Sequence, residues 1–209
     1  VITMKKGAVL FDLDGVISDT AALHAKAWKA VFDQVLATNS VASKEFDEKV
    51  DYLRHIDGKS RTAGIIDYLN SCSIELPLGS KESTGHDSIH GIGNTKNSIF
   101  REIVGSKEIP IFPDSIRLLA KLRARNVDIG LSSSSKNARF VLEKSKLVGY
   151  FKEIMDGLVA EREHIASKPH PAFYHHASLI MKRRPEECIV IEDAISGVVS
   201  ANQAGIGLV

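Results

Sequence analysis

The sequence has few cysteines, and the two that it has lie far apart. Cys72 sits in a polar stretch, and Cys188 opens the apolar run CIVI. A disulfide framework or a zinc cluster needs several cysteines at short, regular spacings. We therefore expect neither, and this sparing use of cysteine favours a cytoplasmic protein.

The sequence also lacks an excess of charge of one sign and lacks a long apolar segment. Lys and Arg number 27 and Asp and Glu number 26, so the net charge is +1. This balance offers no broad electrostatic attraction to nucleic acid or anionic lipid. No apolar run reaches the ~18 residues of a transmembrane helix. We expect neither a nucleic-acid partner nor a membrane partner.

What the sequence does have is a repeated alternation of apolar runs with helical patterns. The apolar runs are GAVLF (7–11), VDIGLS (127–132), the weaker YFKEIMDG (150–157) and ECIVIE (187–192). Such alternation is typical of an α/β fold with helices on both faces of a parallel sheet. Pro113 marks a further helix start. The final segment, AGIGLV (204–209), reads as the beginning of another strand.

Between the first and second predicted strands the alternation gives way to helical periodicity. Segments KEFDEKVDYLRHI (44–56) and RTAGIIDYL (61–69) repeat apolar residues at three- and four-residue spacing. Residues 70–94 are rich in Gly, Ser and Pro and predict a long loop. We predict a core domain over residues 1–19 and 107–209 and an inserted helical domain over 20–106.

Acidic residues follow the first and last predicted strands. Asp12 and Asp14 come after the first strand, Glu192 ends the last one, and Asp193 follows it. The carboxyl ends of parallel strands form the edge at which such sheets bind ligands. Carboxylates gathered there repel one another, and a shared Mg²⁺ with a substrate phosphate would relieve the repulsion. Taken singly, each acid also suits a structural role, such as a helix cap at Asp193.

The other two strand ends have the opposite polarity. LSSSSKN (131–137) offers hydroxyl and backbone N–H groups where a helix opens, which suits an anion. Lys168, in ASKPHP (166–171), is a point charge suited to phosphate. Each has a structural alternative, since a serine run also caps helices and a lysine before proline also occurs in surface loops.

Four segments in this order, DLDGVISDT, SSS, SKP and IEDAISG, resemble the four motifs of the haloacid dehalogenase superfamily of phosphotransferases. The helical insert resembles the cap domain of its β-phosphoglucomutase-like branch. The likeness covers nearly the whole chain, and the first motif is the most specific. It implies a Rossmann-like core with an inserted helical cap, Mg²⁺ as cofactor and a small phosphorylated sugar as substrate. It also implies a monomer, which is common in this branch.

The resemblance assigns roles to the residues of the core. Asp12 matches the nucleophile that becomes an aspartyl phosphate, and Asp14 matches the acid/base that serves the leaving and accepting oxygens. Ser133 and Lys168 match the residues that bind the transferring phosphate. The implied Mg²⁺ ligands are Asp12, the backbone carbonyl of Asp14, Glu192 and Asp193.

The resemblance also implies substrate contacts. DTAALHAKAW resembles the stretch whose histidine, here His24, couples cap closure to the acid/base, and Trp28 lies on the same helix face. DGKSR (57–61) resembles the segment whose arginine, here Arg61, holds the non-transferring phosphate. The other implied contacts are Lys96 and Asn97 in the cap and Ser135, Lys136 and Asn137 in the core. The structural alternatives are a packed core residue for His24, a solvent-facing side chain for Arg61 and a lysine at a helix start for Lys96.

Two phosphate sites suit a bisphosphate intermediate, so the expected reaction converts β-glucose 1-phosphate to glucose 6-phosphate. The alternative is a phosphatase that hydrolyses a small sugar phosphate, because SIHGIGNTKN resembles hydrolases of the same branch. A minor alternative is a phospho-receiver or scaffold without catalytic activity. A receiver would place its acceptor aspartate on a middle strand and would lack the helical insert.

Overall fold

The computed structural model describes residues 7–39, 45–106 and 108–209. Its described residues divide into two units, which we call the core unit (those up to Asp19, with Ile109–Val209) and the helical unit (those within Thr20–Glu108). The predicted domain bounds at residues 1–6 and 107, and the predicted helical residue Lys44, lie outside the described residues. No helix within these described ranges has the length and apolar character that spanning a bilayer would require.

Eight α-helices are present in the described residues. Those of the helical unit are α1 (Ala21–Thr38), α2 (Arg61–Ser71) and α3 (Ile89–Gly105). Those of the core unit are α4 (Pro113–Ala124), α5 (Ala138–Lys144), α6 (Gly157–Arg162), α7 (Ala172–Ile180) and α8 (Ile195–Gln203). The predicted helix start at Pro113 is confirmed.

Four parallel strands form the sheet of the core unit. They are β1 (Ala8–Phe11), β2 (Asp128–Ser132), β3 (Glu153–Met155) and β4 (Cys188–Ile191), in the order β3-β2-β1-β4. Every residue of β1 is buried, as expected for a central strand covered on both faces. The predicted α/β class is confirmed, and this order brings the ends of β1, β2 and β4 side by side.

Two strand predictions are wrong in their extent. The predicted strand over 150–157 is limited to Glu153–Met155, because a 3₁₀ turn occupies Val148–Tyr150. Asp156 then ends the strand, since its carboxylate accepts hydrogen bonds from the first backbone N–H groups of α6. The predicted strand at 204–209 is a single bridge between Leu208 and Ile189 of β4.

The helical unit has an aromatic core. Phe32 of α1 stacks on Trp28 and on Phe46, with ring centroids 5.1 and 5.2 Å apart, and it also contacts Tyr68 of α2 at 4.4 Å. A π-helical turn over Tyr52–Ile56 adds further apolar side chains to this cluster. The apolar face of α1 therefore anchors the other elements of the unit.

The predicted loop over 70–94 is wrong at both ends, because α2 continues to Ser71 and α3 begins at Ile89. Two glycines, Gly91 and Gly93, gave this segment the composition of a loop. In the structure they lie inside α3 at crowded positions, and a Cβ on Gly93 would lie 2.8 Å from Cδ of Arg61. Glycine is used there for close packing and not for a turn.

Ser88 caps the N-terminus of α3, and loss of its hydroxyl should destabilise the helical unit. Its buried hydroxyl accepts a hydrogen bond from the Gly91 backbone N–H at 3.3 Å. The substitution Ser88→Ala should lower the free energy of unfolding by about 1 kcal/mol, measured by urea denaturation. Ser98→Ala on the exposed face of α3 is the control, expected within about 0.5 kcal/mol of the parent. Equal effects of the two substitutions would contradict the capping role.

Candidate functional site

The Lys168 ammonium joins three strand ends of the core unit. Its predicted place at a strand end is wrong, because α6 follows β3 and Lys168 lies in the loop between α6 and α7. The residue is 1% exposed, and Nζ donates to Oδ1 of Asp12 at 2.6 Å and to Oε2 of Glu192 at 2.8 Å. Its third hydrogen bond goes to the backbone carbonyl of Ser132 at 3.1 Å. Because an ammonium has three N–H donors, these partners use its full capacity. Lys168 therefore fixes the positions of two carboxylates.

Two aromatic residues of α7 line the other side of this ammonium. Nζ of Lys168 lies 4.9 Å from the ring centroid of Tyr174 and 5.3 Å from that of Phe173, within the range of cation–π attraction. The Tyr174 hydroxyl donates to Oε2 of Glu192. Burial raises the pKa of the Tyr174 phenol, so the phenol stays protonated and remains a donor.

The sequence around Tyr174 does not mark it as a residue of the site. The segment HPAFYHH reads as an ordinary helix start, and the partner of Tyr174 is 18 residues further along the chain. A signal was present, because a buried tyrosine in an otherwise apolar helix face requires a hydrogen-bond partner. That signal does not say which residue the partner is.

Three carboxylates converge beside Lys168. Oxygens of Asp12, Glu192 and Asp193 all lie within 4.8 Å of one another, the one group of this kind among the residues that the structure describes. Burial, followed by the Glu192 charge, raises the pKa of Asp12 well above its ordinary value. The same two causes raise the pKa of Asp193 to about 6, although this residue lies at the exposed edge of the group.

The pKa of Lys168 depends on the balance between burial and the neighbouring carboxylates. Burial alone would lower the pKa of the ammonium, but the Asp12 and Glu192 carboxylates outweigh burial and raise it above its ordinary value. Lys168 is therefore positively charged. One ammonium facing three carboxylates leaves an excess of negative charge in a poorly hydrated site.

The three carboxylates fit a hard divalent cation. Oε1 of Glu192 is a buried oxygen with no hydrogen-bond partner among the described residues, which is costly unless something binds it. Opposite oxygen ligands of Mg²⁺ lie about 4.2 Å apart, and the oxygens here are within 4.8 Å of one another. The oxygen-only donor set, the unpartnered Oε1 and the excess negative charge all favour such an ion.

The serine motif follows β2 directly. The Ser133 backbone N–H donates to the Met155 carbonyl at 2.9 Å, which fixes the start of the loop beside β3. The Ser133 hydroxyl accepts from the Ser135 N–H at 3.1 Å, and the Ser135 hydroxyl accepts from the Asn137 N–H at 3.2 Å. Nζ of Lys136 forms an ion pair with Glu161 at 2.8 Å. The motif is thus a compact hydroxyl-lined turn.

In the helical unit, three predicted substrate residues are in contact with one another. Nζ of Lys96 lies 2.6 Å from Nδ1 of His24 and 4.9 Å from the Trp28 ring. The Phe100 ring completes the cluster, stacked on His24 at 3.9 Å. A charged Lys96 only donates, and His24 Nδ1 is then the acceptor of this contact. Lys96 is a buried lysine in contact with an imidazole and two aromatic rings.

The other two predicted residues of the helical unit also pair. Nη2 of Arg61 donates to Oδ1 of Asn97 at 2.9 Å, which links the start of α2 to the middle of α3. Ser60, directly before Arg61, caps α2 by accepting from the Ala63 N–H. Arg61 therefore lies at the start of α2, where the Ser60 cap fixes the backbone and Asn97 orients the guanidinium.

Comparison with known proteins agrees with the motif pattern. A family model described as haloacid dehalogenase-like hydrolase matches residues 6–205. The β-phosphoglucomutase of Mycobacterium bovis is 39% identical over 206 residues, which cover 96% of this chain and 78% of the relative. The chain belongs to the haloacid dehalogenase-like hydrolase family. The predicted membership is confirmed, and so is the prediction that the chain is an enzyme.

Two further proteins support the β-phosphoglucomutase-like branch of this family. The β-phosphoglucomutase of Bacillus subtilis is 31% identical over 201 residues, covering 95% of this chain and 80% of the relative. The solved β-phosphoglucomutase from Clostridium difficile matches with a TM-score of 0.77 and 29% identity, covering 98% of this chain and 83% of that one. The predicted likeness to this branch is confirmed.

In this haloacid dehalogenase-like hydrolase, Asp14 lies in the turn that follows β1. The turn closes through a hydrogen bond from the Gly15 N–H to the Ser18 carbonyl at 2.8 Å. The Asp14 charge contributes to the raised pKa values of Asp12 and Asp193, so its carboxylate lies near theirs. The Asp14 side chain is not part of the group of three.

Glycines allow the carboxylates to approach the backbone. Gly15 has a φ of +89°, and a Cβ there would lie 1.9 Å from Oδ2 of Asp193. Gly197 lies in α8, and a Cβ there would lie 2.1 Å from Cδ of Glu192. Both glycines belong to the family motifs, and both make room for a carboxylate of the site.

Gly197→Ala should therefore destabilise the core unit. In an open helical position this change usually stabilises, but here the methyl group displaces the Glu192 carboxylate from Lys168. We expect a loss of about 1–3 kcal/mol in the free energy of unfolding without metal, measured by urea denaturation in EDTA. Gly149→Ala is the control, because a Cβ at Gly149 meets nothing within 4 Å. Unchanged stability of Gly197→Ala would show that Glu192 is not confined by this helix.

Proposed function

We propose that this enzyme catalyses Mg²⁺-dependent phosphoryl transfer on a sugar phosphate, converting β-glucose 1-phosphate to glucose 6-phosphate. The observation that supports it most is the buried Asp12, which Lys168 holds beside Glu192 and Asp193 within a shared cation-binding geometry. Relatives named β-phosphoglucomutase, at 39% and 31% identity, point to the same reaction.

Asp12 acts as the nucleophile in this proposal. One of its carboxylate oxygens forms a bond to phosphorus while the bond from phosphorus to the sugar oxygen breaks, which leaves an aspartyl phosphate. Asp14 donates its proton to the leaving oxygen. In the second step Asp14 takes the proton of the accepting hydroxyl, whose oxygen attacks the aspartyl phosphate and frees Asp12.

The charged groups around Asp12 lower the barrier to attack on an anion. Lys168 neutralises part of the negative charge and keeps Asp12 oriented. Asp12, Glu192, Asp193 and the Asp14 carbonyl would hold Mg²⁺, which when bound supplies further positive charge for the phosphate oxygens. The Ser133 hydroxyl is the hydrogen-bond donor that we assign to the transferring phosphate.

A second phosphate contact distinguishes a mutase from a simple phosphatase. We assign Arg61 to the non-transferring phosphate, because a guanidinium binds phosphate through paired N–H donors. Its side chain is already oriented by Asn97, which lowers the entropy lost on binding. Trp28, Lys96 and His24 form a preorganised cluster beside which we place the sugar.

Hydrolysis is the second candidate function. The family model that matches the chain is described as a hydrolase, and the same aspartyl phosphate yields free phosphate when water replaces the sugar hydroxyl as the acceptor. The residues of the core unit would then keep the same roles, and only the acceptor would change.

Phosphorus NMR separates the two reactions. The enzyme is incubated with Mg²⁺, β-glucose 1-phosphate and a trace of glucose 1,6-bisphosphate. The mutase proposal predicts glucose 6-phosphate without free phosphate, whereas free phosphate alone would contradict it and favour the phosphatase. Asp12→Asn should reduce kcat for either reaction by about 10⁴-fold or more. Activity near that of the parent would show that Asp12 is not the nucleophile.

Arg61→Ala should lower the activity on a sugar bisphosphate more than the activity on a substrate with a single phosphate. Loss of a charged hydrogen-bond pair is worth about 1.5–3 kcal/mol, so kcat/KM for the sugar bisphosphate should fall roughly 10–100-fold. Phosphate release from a small aryl phosphate, which has no second phosphate, should change less than about twofold. Arg54→Ala, at an exposed position of the same unit, is the control. Equal losses on both substrates would contradict a phosphate-binding role.

A further inference from the structure

The two oxygens of the Glu192 carboxylate have different environments. Oε2 accepts hydrogen bonds from both the Tyr174 hydroxyl and Nζ of Lys168. Oε1 is buried and has no hydrogen-bond partner in the part of the chain that the structure describes, and the side chain as a whole is 0% exposed. One oxygen is therefore saturated by protein donors, and the other is left for an ion.

Lys168 alone does not determine the orientation of this carboxylate. It divides its three N–H donors among Asp12, Glu192 and the Ser132 carbonyl, so Glu192 receives one of them. A single hydrogen bond holds one oxygen of the carboxylate and does not by itself fix the last torsion angle of the side chain. The Tyr174 hydroxyl supplies a second donor from a different direction, since it comes from α7 and not from the loop before it.

The Tyr174 ring is itself held rigidly. It is 0% exposed and packs edge-on against Phe173 at 5.9 Å between ring centroids. It belongs to the apolar cluster that also contains Met155 of β3 and Val190 of β4. A hydroxyl on so fixed a ring sets the position of its acceptor.

We propose that Tyr174 is a positioning residue for the divalent cation: its hydroxyl, together with Lys168, fixes Oε2 of Glu192 so that Oε1 faces the ion. The inference rests on the proposed function through the cation site alone and is independent of the sugar and of the acceptor. Residues that orient a metal ligand from behind typically change metal affinity by about 10–100-fold when they are lost.

The test is a metal titration of the full chain after metal removal with EDTA. Mn²⁺ binding is followed by electron paramagnetic resonance and Mg²⁺ binding by calorimetry, without substrate. Tyr174→Phe keeps the ring and its contact with Lys168 and removes the hydroxyl alone. It should raise the Kd for both ions by about 10–100-fold. Tyr150→Phe, which lies before β3 beside Arg123, should stay within about twofold of the parent.

A double substitution separates positioning from general damage. In a Glu192→Gln background, Tyr174→Phe should change the Kd by less than about twofold, because its effect acts through the lost carboxylate. An equal weakening in both backgrounds would overturn the inference. Parent and Tyr174→Phe enzymes with the same Kd would overturn it as well, while leaving the proposed function intact. A parent enzyme that binds neither ion would overturn both.

Discussion

The arrangement of the core unit depends on one buried ion cluster, in which the Lys168 ammonium bonds to Asp12 and Glu192. Breaking such a cluster leaves an unpaired charge in a poorly hydrated place, which is strongly unfavourable. The cluster therefore ties the carboxyl end of β1 to that of β4, and the bond to the Ser132 carbonyl adds β2. One ammonium does not neutralise the three carboxylates around it. The contact that holds the strand ends together therefore leaves the negative charge on which the proposed cation site depends.

Much of the core could be predicted because its determinants are local. Apolar β-branched runs mark the strands, and the rule that ligands bind at the carboxyl ends of parallel strands places Asp12 and Glu192 at one edge. The rule does not place Lys168, which reaches this edge from the loop between α6 and α7. What the sequence does not contain is packing between distant elements. Tyr174 reaches Glu192 only because α7 lies against the sheet, and α3 needs a glycine at Gly93 because the Arg61 side chain occupies the space of a Cβ there. Composition indicates neither contact, and at Gly93 it predicts a loop instead.

In the helical unit, too, the sequence indicates candidate residues but not how they are arranged. Motif likeness selects Lys96, His24 and Trp28 one by one as substrate contacts, but it does not indicate that they touch each other. In the structure a lysine that is 4% exposed is held by an imidazole nitrogen and two aromatic rings. Burying a lysine is costly unless its amino group is well paired, so these contacts stabilise Lys96 in this position. The proposed sugar site is then largely preformed, which reduces the entropy lost on binding.

Repulsion among the carboxylates links stability to cation binding. A carboxyl with a folded-state pKa above its unfolded value holds its proton more tightly when folded, so the free energy of unfolding falls as the pH rises through that interval. For Asp193 this interval runs from about pH 4 to about pH 6. The pKa of the buried Asp12 is raised as well. Near neutral pH, therefore, ionisation of this site weakens the fold. A cation that binds only the folded chain offsets this loss of stability by mass action. Part of its binding free energy comes from the repulsion between carboxylates that it relieves. Rigid neighbours such as Tyr174 and the close backbone at Gly15 and Gly197 are needed because, without them, the carboxylates would turn away from each other and lose that affinity.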